Sequence, residues 1–206
     1  MSDFVHHFEP GLGTRTVLAL HGTGGTERDL VPLARTLFPD ANILSPRGKV
    51  SERGANRFFR RLSEGVFDLD DLHRQTDDLA DFLAASARNY GFDANQLWAL
   101  GYSNGANIAA SLLLQRSESL SGAVLLRAMT PFEPRSVPDL AGKRLFLAAG
   151  RFDPLVPITN IETLARLFRE GGATVELRFQ NAGHELARDD IEAIKHWLPS
   201  TSTTQS

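Results

Sequence analysis

Short apolar runs alternate with longer amphipathic stretches along most of the chain. The runs are continuous and do not alternate with polar residues, which is typical of strands buried on both faces of a sheet. They lie at residues 16–20 (TVLAL), 42–45 (NILS), 97–101 (LWALG), 122–126 (GAVLL), 144–150 (RLFLAAG) and 174–179 (TVELRF). The pattern therefore predicts six buried strands.

Helical spacing of apolar residues marks the stretches between several of these runs. It is clearest at residues 30–37, 68–90 and 189–198. Acidic residues from Asp68 onward and a glycine at Gly91 are typical of the start and the end of the 68–90 helix. The alternation of strands and helices predicts a doubly wound, mostly parallel α/β sheet with helices on both faces. In such folds, ligands bind beyond the carboxyl ends of the strands.

Composition is that of an ordinary globular protein. The chain has 206 residues, of which 42% are hydrophobic and 23% charged, so we expect one domain over residues 1–200 and a disordered tail at 201–206 (TSTTQS). The longest apolar stretches, such as IAASLLL (108–114), are too short to span a membrane. No secretory signal is visible, and without cysteine there is no disulfide or thiolate site, so the cytoplasm is the expected compartment.

A glycine–serine–glycine motif follows the predicted strand at 97–101. In GYSNG, Gly101 and Gly105 flank Ser103, and a helical pattern begins directly afterwards. A strand–turn–helix connection of this kind presents the serine Oγ above the sheet, near a helix N-terminus that favours a developing negative charge. Side chains at the two glycine positions would collide with the neighbouring strand and helix. The alternative is a serine N-cap, with the glycines kept for packing.

A serine nucleophile needs a base, and the base needs an acid that orients it. His184 (in QNAGHEL) and Asp153 (in GRFDPLVP) each follow a predicted strand, so we expect both at the same sheet edge as Ser103. Their order along the chain is the one that accompanies this serine motif. His21 lies in a comparable loop but comes too early for that order. The alternative is that Asp153 and His184 are simply solvated loop residues. Their expected position at the same sheet edge as Ser103, and their order along the chain, count against it.

A glycine-rich turn in LALHGTGGTERDL (18–30) also joins a strand to a helix. Gly22 and the two glycines after Thr23 would let a substrate come close to the backbone. The backbone N–H groups of Thr23 and Asn104 are therefore the candidate oxyanion donors. A phosphate-binding loop is the alternative, but the turn lacks the Walker lysine–serine/threonine pair and the dinucleotide fingerprint.

Taken together, LHGTGG, GYSNGANIA, GRFDPLVP and AGHEL resemble the α/β-hydrolase superfamily, and more closely its small phospholipase/carboxylesterase group, which includes acyl-protein thioesterases. The resemblance runs from about Val17 to Leu198. It implies that the four motifs carry the oxyanion loop, the nucleophile, the acid and the base. PRGKVSERGANRFFRR (46–61) is similar to a bacterial esterase branch, some of whose members are linked to quinone and hydroquinone stress.

Two positions depart from the thioesterase pattern. Gly25 stands where those enzymes tend to have aspartate, and Asn104 stands where they usually have glutamine. Esterase chemistry is compatible with both changes, whereas a protein-depalmitoylating role does not follow from the resemblance.

The segment 46–61 is strongly basic. Its six cationic residues are Arg47, Lys49, Arg53, Arg57, Arg60 and Arg61. A nucleic-acid partner does not fit a chain of net charge −3, so we expect a loop and a helix beside the cleft, with some arginines paired to acids. Binding of an anionic or aromatic substrate is the alternative. Phe58, Phe59 and Met129 are candidate pocket residues, with the hydrophobic core as their alternative place.

The function that follows is a carboxylesterase with a Ser-His-Asp triad that cleaves small esters through an acyl-enzyme. An acyl thioesterase or lysophospholipase is the nearest alternative, and a non-catalytic ligand receptor of the same fold is an alternative from another class. We expect no cofactor and no metal site, and a small-molecule ester as the partner. A homodimer is one option for the assembly, which the sequence leaves open.

No stretch is long enough for a lid domain. Residues 127–143 connect two predicted strands and contain Pro131, Pro134 and Pro138, which break regular structure. The segment 46–67 is also too short to form a domain. We therefore expect an open cleft whose walls come partly from these two connections.

Overall fold

A seven-stranded sheet organises residues 4–198, the part of the chain that the computed structural model describes. In chain order, the strands of the protein are β1 (His6–Glu9), β2 (Thr16–Leu20), β3 (Asn42–Pro46), β4 (Val50–Glu52), β5 (Ala55–Arg57), β6 (Arg61–Ser63), β7 (Val66–Phe67), β8 (Leu97–Tyr102), β9 (Gly122–Leu126), β10 (Arg144–Gly150) and β11 (Thr174–Gln180). The helices are α1 (Val31–Leu37), α2 (Leu69–Tyr90), α3 (Asn104–Gln115), α4 (Ile158–Glu170) and α5 (Arg188–Trp197). The predicted tail at 201–206 lies outside the described residues.

The central sheet has the spatial order β1-β3-β2-β8-β9-β10-β11. Strand β1 pairs with β3 in antiparallel fashion, and the other pairings are parallel. All six predicted strands are present and begin at the predicted residues. The burial predicted for the sixth is wrong, because β11 lies at the edge of the sheet and none of its residues is buried. The doubly wound, mostly parallel α/β fold is therefore confirmed.

The core lies in two layers, one on each face of this sheet. Apolar side chains of α2, α3 and α4 pack on one face, where Leu72, Leu113 and Phe168 are buried. On the other face, α1 and α5 contribute Leu37 and Ile194 to a second cluster. Because both faces are covered, the central strands consist of continuous apolar runs.

Helix α2 begins and ends where the sequence signals predicted. The Asp68 side chain accepts a hydrogen bond from the backbone N–H of Asp71, which satisfies one of the free donors of the first turn. Gly91 ends the helix with φ of 70°, a left-handed conformation that glycine adopts without steric cost.

The structure contradicts the helix expected in the basic segment. Residues 50–57 form the antiparallel hairpin β4–β5, and residues 61–67 form a second hairpin, β6–β7. The expected pairing with acids is present, because Arg47 contacts Glu27, and Arg57 and Arg61 both contact Glu52. A helix does not form because glycine at Gly54 and Gly65, each with positive φ, turns the chain back on itself.

No helix or strand forms between β9 and β10, where residues 127–143 connect the two strands. This connection therefore forms no lid domain, as its three prolines led us to expect. The loops that follow β2, β8, β10 and β11 all lie at the carboxyl edge of the parallel strands, which is where this class of sheet binds ligands.

Candidate active site

Ser103 occupies a strained turn between β8 and α3. Its backbone has φ of 52° and ψ of −115°, a conformation that non-glycine residues rarely adopt. Its N–H donates to the carbonyl of Leu126 at 2.8 Å, which ties the turn to the neighbouring strand. The side chain makes no capping bond to α3. The N-cap alternative is therefore wrong, and Oγ is free to point at the site.

The two flanking glycines are where the turn is most crowded. A Cβ at Gly105 would lie 2.0 Å from the carbonyl oxygen of Leu20, and a Cβ at Gly101 would lie 2.7 Å from the backbone of Ala106. At Gly22, a Cβ would come within 2.9 Å of the Tyr102 ring. The backbone of α3 can approach β2 and β8 this closely because these positions lack side chains.

His184 lies between Ser103 and Asp153. Its Nε2 is 2.9 Å from the Ser103 Oγ, and its Nδ1 is 2.8 Å from Asp153 Oδ2. An ionised carboxylate can only accept, so Nδ1 carries the proton and Nε2 is left to accept from the serine hydroxyl. The structure thus brings the three predicted side chains into one continuous hydrogen-bonded series.

Asp153 is held firmly in the loop after β10. Its side chain is 1% exposed. Its second oxygen, Oδ1, accepts from the backbone N–H groups of Leu155 and Val156 at 2.8 and 3.1 Å. With both oxygens engaged, the carboxylate keeps a single orientation towards His184.

His21, the other loop histidine, is buried beneath the glycine-rich turn. Its Nε2 lies 3.0 Å from the backbone N–H of Gly48, which can only donate, so Nε2 is unprotonated and Nδ1 donates to the Gly22 carbonyl at 2.6 Å. Burial lowers the pKa of His21, and the bond to Gly22 opposes this only in part. His21 therefore supports the turn as a neutral imidazole.

Thr23 and Asn104, the candidate oxyanion donors, both line the cleft beside Ser103. The first internal bond of α3 runs from the Asn107 N–H to the Ser103 carbonyl, so the Asn104 N–H precedes the helical ladder. In the glycine-rich turn, the N–H groups of Gly24 and Gly25 are engaged by other carbonyls. Thr23 is the residue of this turn that lines the cleft, so its N–H stays the candidate donor from the turn.

The hairpin β4–β5 holds the glycine-rich turn in place. Arg57 donates to the Thr23 hydroxyl at 2.7 Å. The backbone carbonyl of Asn56 accepts from the Gly24 N–H, and the Asn56 side-chain amide donates to the Gly25 carbonyl. Burial, with a smaller contribution from the charge of Arg61, lowers the pKa of Arg57. The basic segment therefore supports the candidate oxyanion site directly.

The cleft above Ser103 has a volume of about 250 Å³. Met129 from the 127–143 connection lines it, as do Arg61 and Phe67 from the second hairpin. Phe58 and Phe59 do not line the cleft, since both are fully buried in the core. For these two, the pocket hypothesis is wrong, because their rings pack in the core, that of Phe58 against His21 and that of Phe59 against Phe67.

Sequence reasoning did not single out two side chains that contact the loop of His184. The Tyr102 hydroxyl donates to the His184 carbonyl at 2.9 Å, and Arg127 donates to the carbonyls of Gly183 and Glu185. A signal was available, because Arg127 is a charged residue placed directly after a buried strand at the ligand-binding edge.

Within residues 4–198, no group of three or more histidine, aspartate or glutamate side chains is arranged to hold a metal ion. Across the same residues, no helix combines the length and the apolar character needed to cross a bilayer.

Comparison with known proteins gives close relatives over nearly the whole chain, although no family model matches it. MhqD of Bacillus subtilis (strain 168), provisionally named a hydrolase, is 44% identical over 192 residues, which are 93% of this chain and 96% of MhqD. The crystal structure of the Bacillus cereus carboxylesterase is 45% identical and superposes with a TM-score of 0.92, covering 94% of this chain and 92% of that one. YahD, solved with malic acid, is 31% identical with a TM-score of 0.88, covering 95% and 97% of the two chains.

The similarity to MhqD and to the two solved structures covers more than nine-tenths of this chain, and the two solved structures share its fold. Hydrolysis is the activity that both names give, and the name of the carboxylesterase specifies esters. The chain therefore belongs to the phospholipase/carboxylesterase group of the α/β-hydrolase superfamily and is an ester-hydrolysing enzyme.

Proposed function

We propose that the protein is a carboxylesterase that cleaves small carboxylic esters with Ser103 as nucleophile, His184 as general base and Asp153 as the orienting acid. The observation that carries the proposal is the unbroken series from Ser103 Oγ through the imidazole to the buried carboxylate, at 2.9 and 2.8 Å. Both distances are within hydrogen-bonding range, as proton transfer requires.

Acylation begins when the Ser103 Oγ attacks the ester carbonyl carbon while its proton passes to Nε2 of His184. The carbonyl oxygen becomes an oxyanion, which accepts from the backbone N–H groups of Thr23 and Asn104. The bond to the alcohol then breaks, and the leaving oxygen takes the proton from Nε2. Asp153 stabilises the imidazolium that exists between these two transfers.

Deacylation repeats the chemistry with water in place of serine. His184 takes a proton from the attacking water, the tetrahedral intermediate collapses, and the proton returns to the Ser103 oxygen as the carboxylic acid leaves. No group beyond the chain and water is needed to balance either half of the reaction.

A small substrate fits the size and shape of the site. The cleft volume is about 250 Å³, below the common range of drug-sized pockets. Its walls are a short hairpin, the loop of Asp153 and the 127–143 connection.

Steady-state hydrolysis of p-nitrophenyl acetate tests the proposal. The wild-type protein should turn over, and Ser103→Ala and His184→Ala should each lose several orders of magnitude in kcat while their circular dichroism is unchanged. Acyl thioesters and lysophospholipids measured in parallel decide between ester hydrolysis and the nearest alternatives. Absence of turnover of every ester, with retained ligand binding, would instead show a non-catalytic receptor.

A further inference from the structure

A fully buried cation lies directly beneath the loop of His184. Arg127 follows the last residue of β9 and has φ of 55°, and its guanidinium has no exposed surface. Burying a charged group away from water is costly unless every donor finds an acceptor. A position that combines a buried charge with a strained backbone calls for a reason beyond filling space.

Each N–H of the guanidinium has an acceptor. Nε donates to the Gly183 carbonyl at 3.0 Å, and Nη2 donates to the Glu185 carbonyl at 2.7 Å and to Asp190 Oδ2 at 2.6 Å. Nη1 donates to the Ala148 carbonyl at 3.2 Å and to Asp190 Oδ1 at 3.1 Å. Asp190 is itself 1% exposed and neutralises the charge through a bidentate contact.

Two of these acceptors are the peptide carbonyls on either side of His184. The third carbonyl of the turn, that of His184 itself, accepts from the Tyr102 hydroxyl at 2.9 Å. Burial raises the pKa of Tyr102, so this phenol keeps its proton and remains a donor. Three consecutive carbonyls of the loop are thus held by side chains from the ends of β8 and β9.

The same strand ends also fix the other two members of the triad. The Ser103 N–H donates to the Leu126 carbonyl, one residue before Arg127. The Arg127 N–H donates to Ala148 in β10, the strand that leads to Asp153. Arg127 therefore connects, through short covalent and hydrogen-bonded paths, the backbone segments that carry the nucleophile, the base and the acid.

We propose that Arg127 is a positioning residue for His184, which holds the imidazole between Ser103 and Asp153 by gripping the backbone on both sides of it. The inference rests on the proposed role of His184 as general base. Arg127 contacts the backbone and not the reacting atoms, so its loss should lower kcat far more than it changes KM. A misplacement of about 1 Å at a catalytic group can cost about 100-fold in rate.

The test is a double-mutant cycle between Arg127 and His184, assayed with p-nitrophenyl acetate at a temperature where each variant is folded. Arg127→Met removes all five donors and should lower kcat by about 10- to 100-fold. In the His184→Ala background, the same substitution should cause no further loss, because the base that it positions is already gone. Arg144→Met, at the opposite end of the sheet, is the matched control and should keep kcat near that of the wild type.

Arg127→Lys provides a second variant if Arg127→Met fails to fold. It keeps the charge beside Asp190, but a single ammonium cannot span the Gly183 and Glu185 carbonyls, so kcat should again fall in the wild-type background alone. A proton NMR spectrum adds a readout that a purely structural brace would not move. The downfield Nδ1–H signal of His184 should broaden or vanish while the core methyl signals stay sharp.

The outcomes separate the two proposals. A fully active His184→Ala would overturn the proposed function and, with it, this inference. An inactive His184→Ala together with normal kcat in both Arg127 variants would overturn the positioning role alone. So would an equal loss from Arg127→Met in both backgrounds, since that would show a general effect on the fold.

Discussion

At the scale of single residues, the site depends on which group carries each proton. The ionised Asp153 accepts from Nδ1 of His184, which leaves Nε2 free to accept from Ser103. His21 has the same tautomer for a different reason, because the backbone N–H of Gly48 occupies its Nε2. One histidine therefore faces the Ser103 hydroxyl with its Nε2, and the other has both ring nitrogens engaged by the backbone.

Asp153→Asn should abolish most of the activity without unfolding the protein. An amide in place of the carboxylate favours the wrong imidazole tautomer, and the expected loss in kcat is about 10⁴-fold. Asp139→Asn is the matched control, because Asp139 is exposed and its carboxylate accepts from the backbone of its own turn, at Ala141. Near-normal rates for Asp153→Asn would require another acid for His184.

Activity should also fall in acid solution. The proposed base accepts the proton of Ser103 only when its imidazole is neutral. The profile of kcat/KM against pH should therefore decline on the acid side with the slope of a single proton. A profile that stays flat down to the pH at which the protein unfolds would argue against a histidine base.

His21 should make folding stability depend on pH. Burial lowers its pKa in the folded state below the ordinary value of 6.5. Its contribution to the free energy of unfolding is therefore fully present above about pH 6.5 and decreases as the pH falls, because the unfolded chain then binds the proton more readily.

The variant His21→Gln removes this titration and can still accept from Gly48. Urea unfolding at about pH 8 and about pH 5 should show a smaller loss of stability for this variant than for the wild type. His196→Gln, which replaces an exposed histidine, is the control and should show the same dependence of stability on pH as the wild type. If the wild type and His21→Gln lost equal stability between the two pH values, His21 would not be the source of that dependence.

At the scale of elements, the elbow between β8 and α3 depends on close backbone approach. Gly105→Ala would place a Cβ 2.0 Å from the Leu20 carbonyl oxygen, so α3 must shift. We expect a loss of about 1–3 kcal/mol in stability. A fall in kcat should accompany it, because Ser103 and the Asn104 N–H move together with the helix.

Gly142→Ala is the control for the elbow. Gly142 has φ of 77°, and a Cβ added there would meet no other atom of the described residues within 4 Å. Alanine at this position should therefore cost about 1–2 kcal/mol through backbone strain alone. Its kcat should be unchanged. If both variants lost only stability, the geometry of the elbow would not limit the reaction.

Elements with a strong local pattern were predictable from the sequence. Strands β2, β3, β8, β9 and β10 were predictable because burial on both faces gives continuous apolar runs, and helix α2 because Asp68 and Gly91 mark its ends. The run of β11 was also recognised, although this strand lies at the edge of the sheet and is only half-buried. Strand β1 was missed because its residues (HHFE) are half-buried and polar. The hairpins were missed because their short strands are held by contacts to distant residues, such as Arg57 to Thr23, that no local pattern records.

The same distinction applies to the site. Ser103, Asp153 and His184 were located because each follows a strand that the sequence predicted, and the structure brings them together. Arg127 and Tyr102 were not, because their contacts to the 183–185 carbonyls depend on how separate loops meet in three dimensions. Phe58 and Phe59 sit in the basic segment that borders the cleft, yet their rings point into the core.

At the scale of the whole molecule, the cleft is open, and no part of residues 4–198 forms a lid domain over it. Residues 127–143 contain no helix or strand, and the second wall is a hairpin of only residues 61–67. Burying each methylene of an acyl chain contributes about 0.8 kcal/mol to the free energy of binding, and only as long as the cleft has apolar surface to bury it against. The volume of about 250 Å³ limits how far that can continue.

The rate should therefore stop rising with acyl length. In a series of p-nitrophenyl esters from acetate to palmitate, kcat/KM should be highest for short or small aromatic acyl groups, with no activation above the micelle concentration. Rising efficiency up to palmitate, or a jump at the lipid–water interface, would mean that the two connections build a larger or a movable wall.

Labelling with a fluorophosphonate, followed by peptide mass mapping, tests whether Ser103 is a covalent nucleophile. The wild type should gain one adduct, on the peptide that contains GYSNG, and Ser103→Ala should gain none while remaining folded. An adduct on any other serine, or undiminished labelling of Ser103→Ala, would show that Ser103 is not the nucleophile.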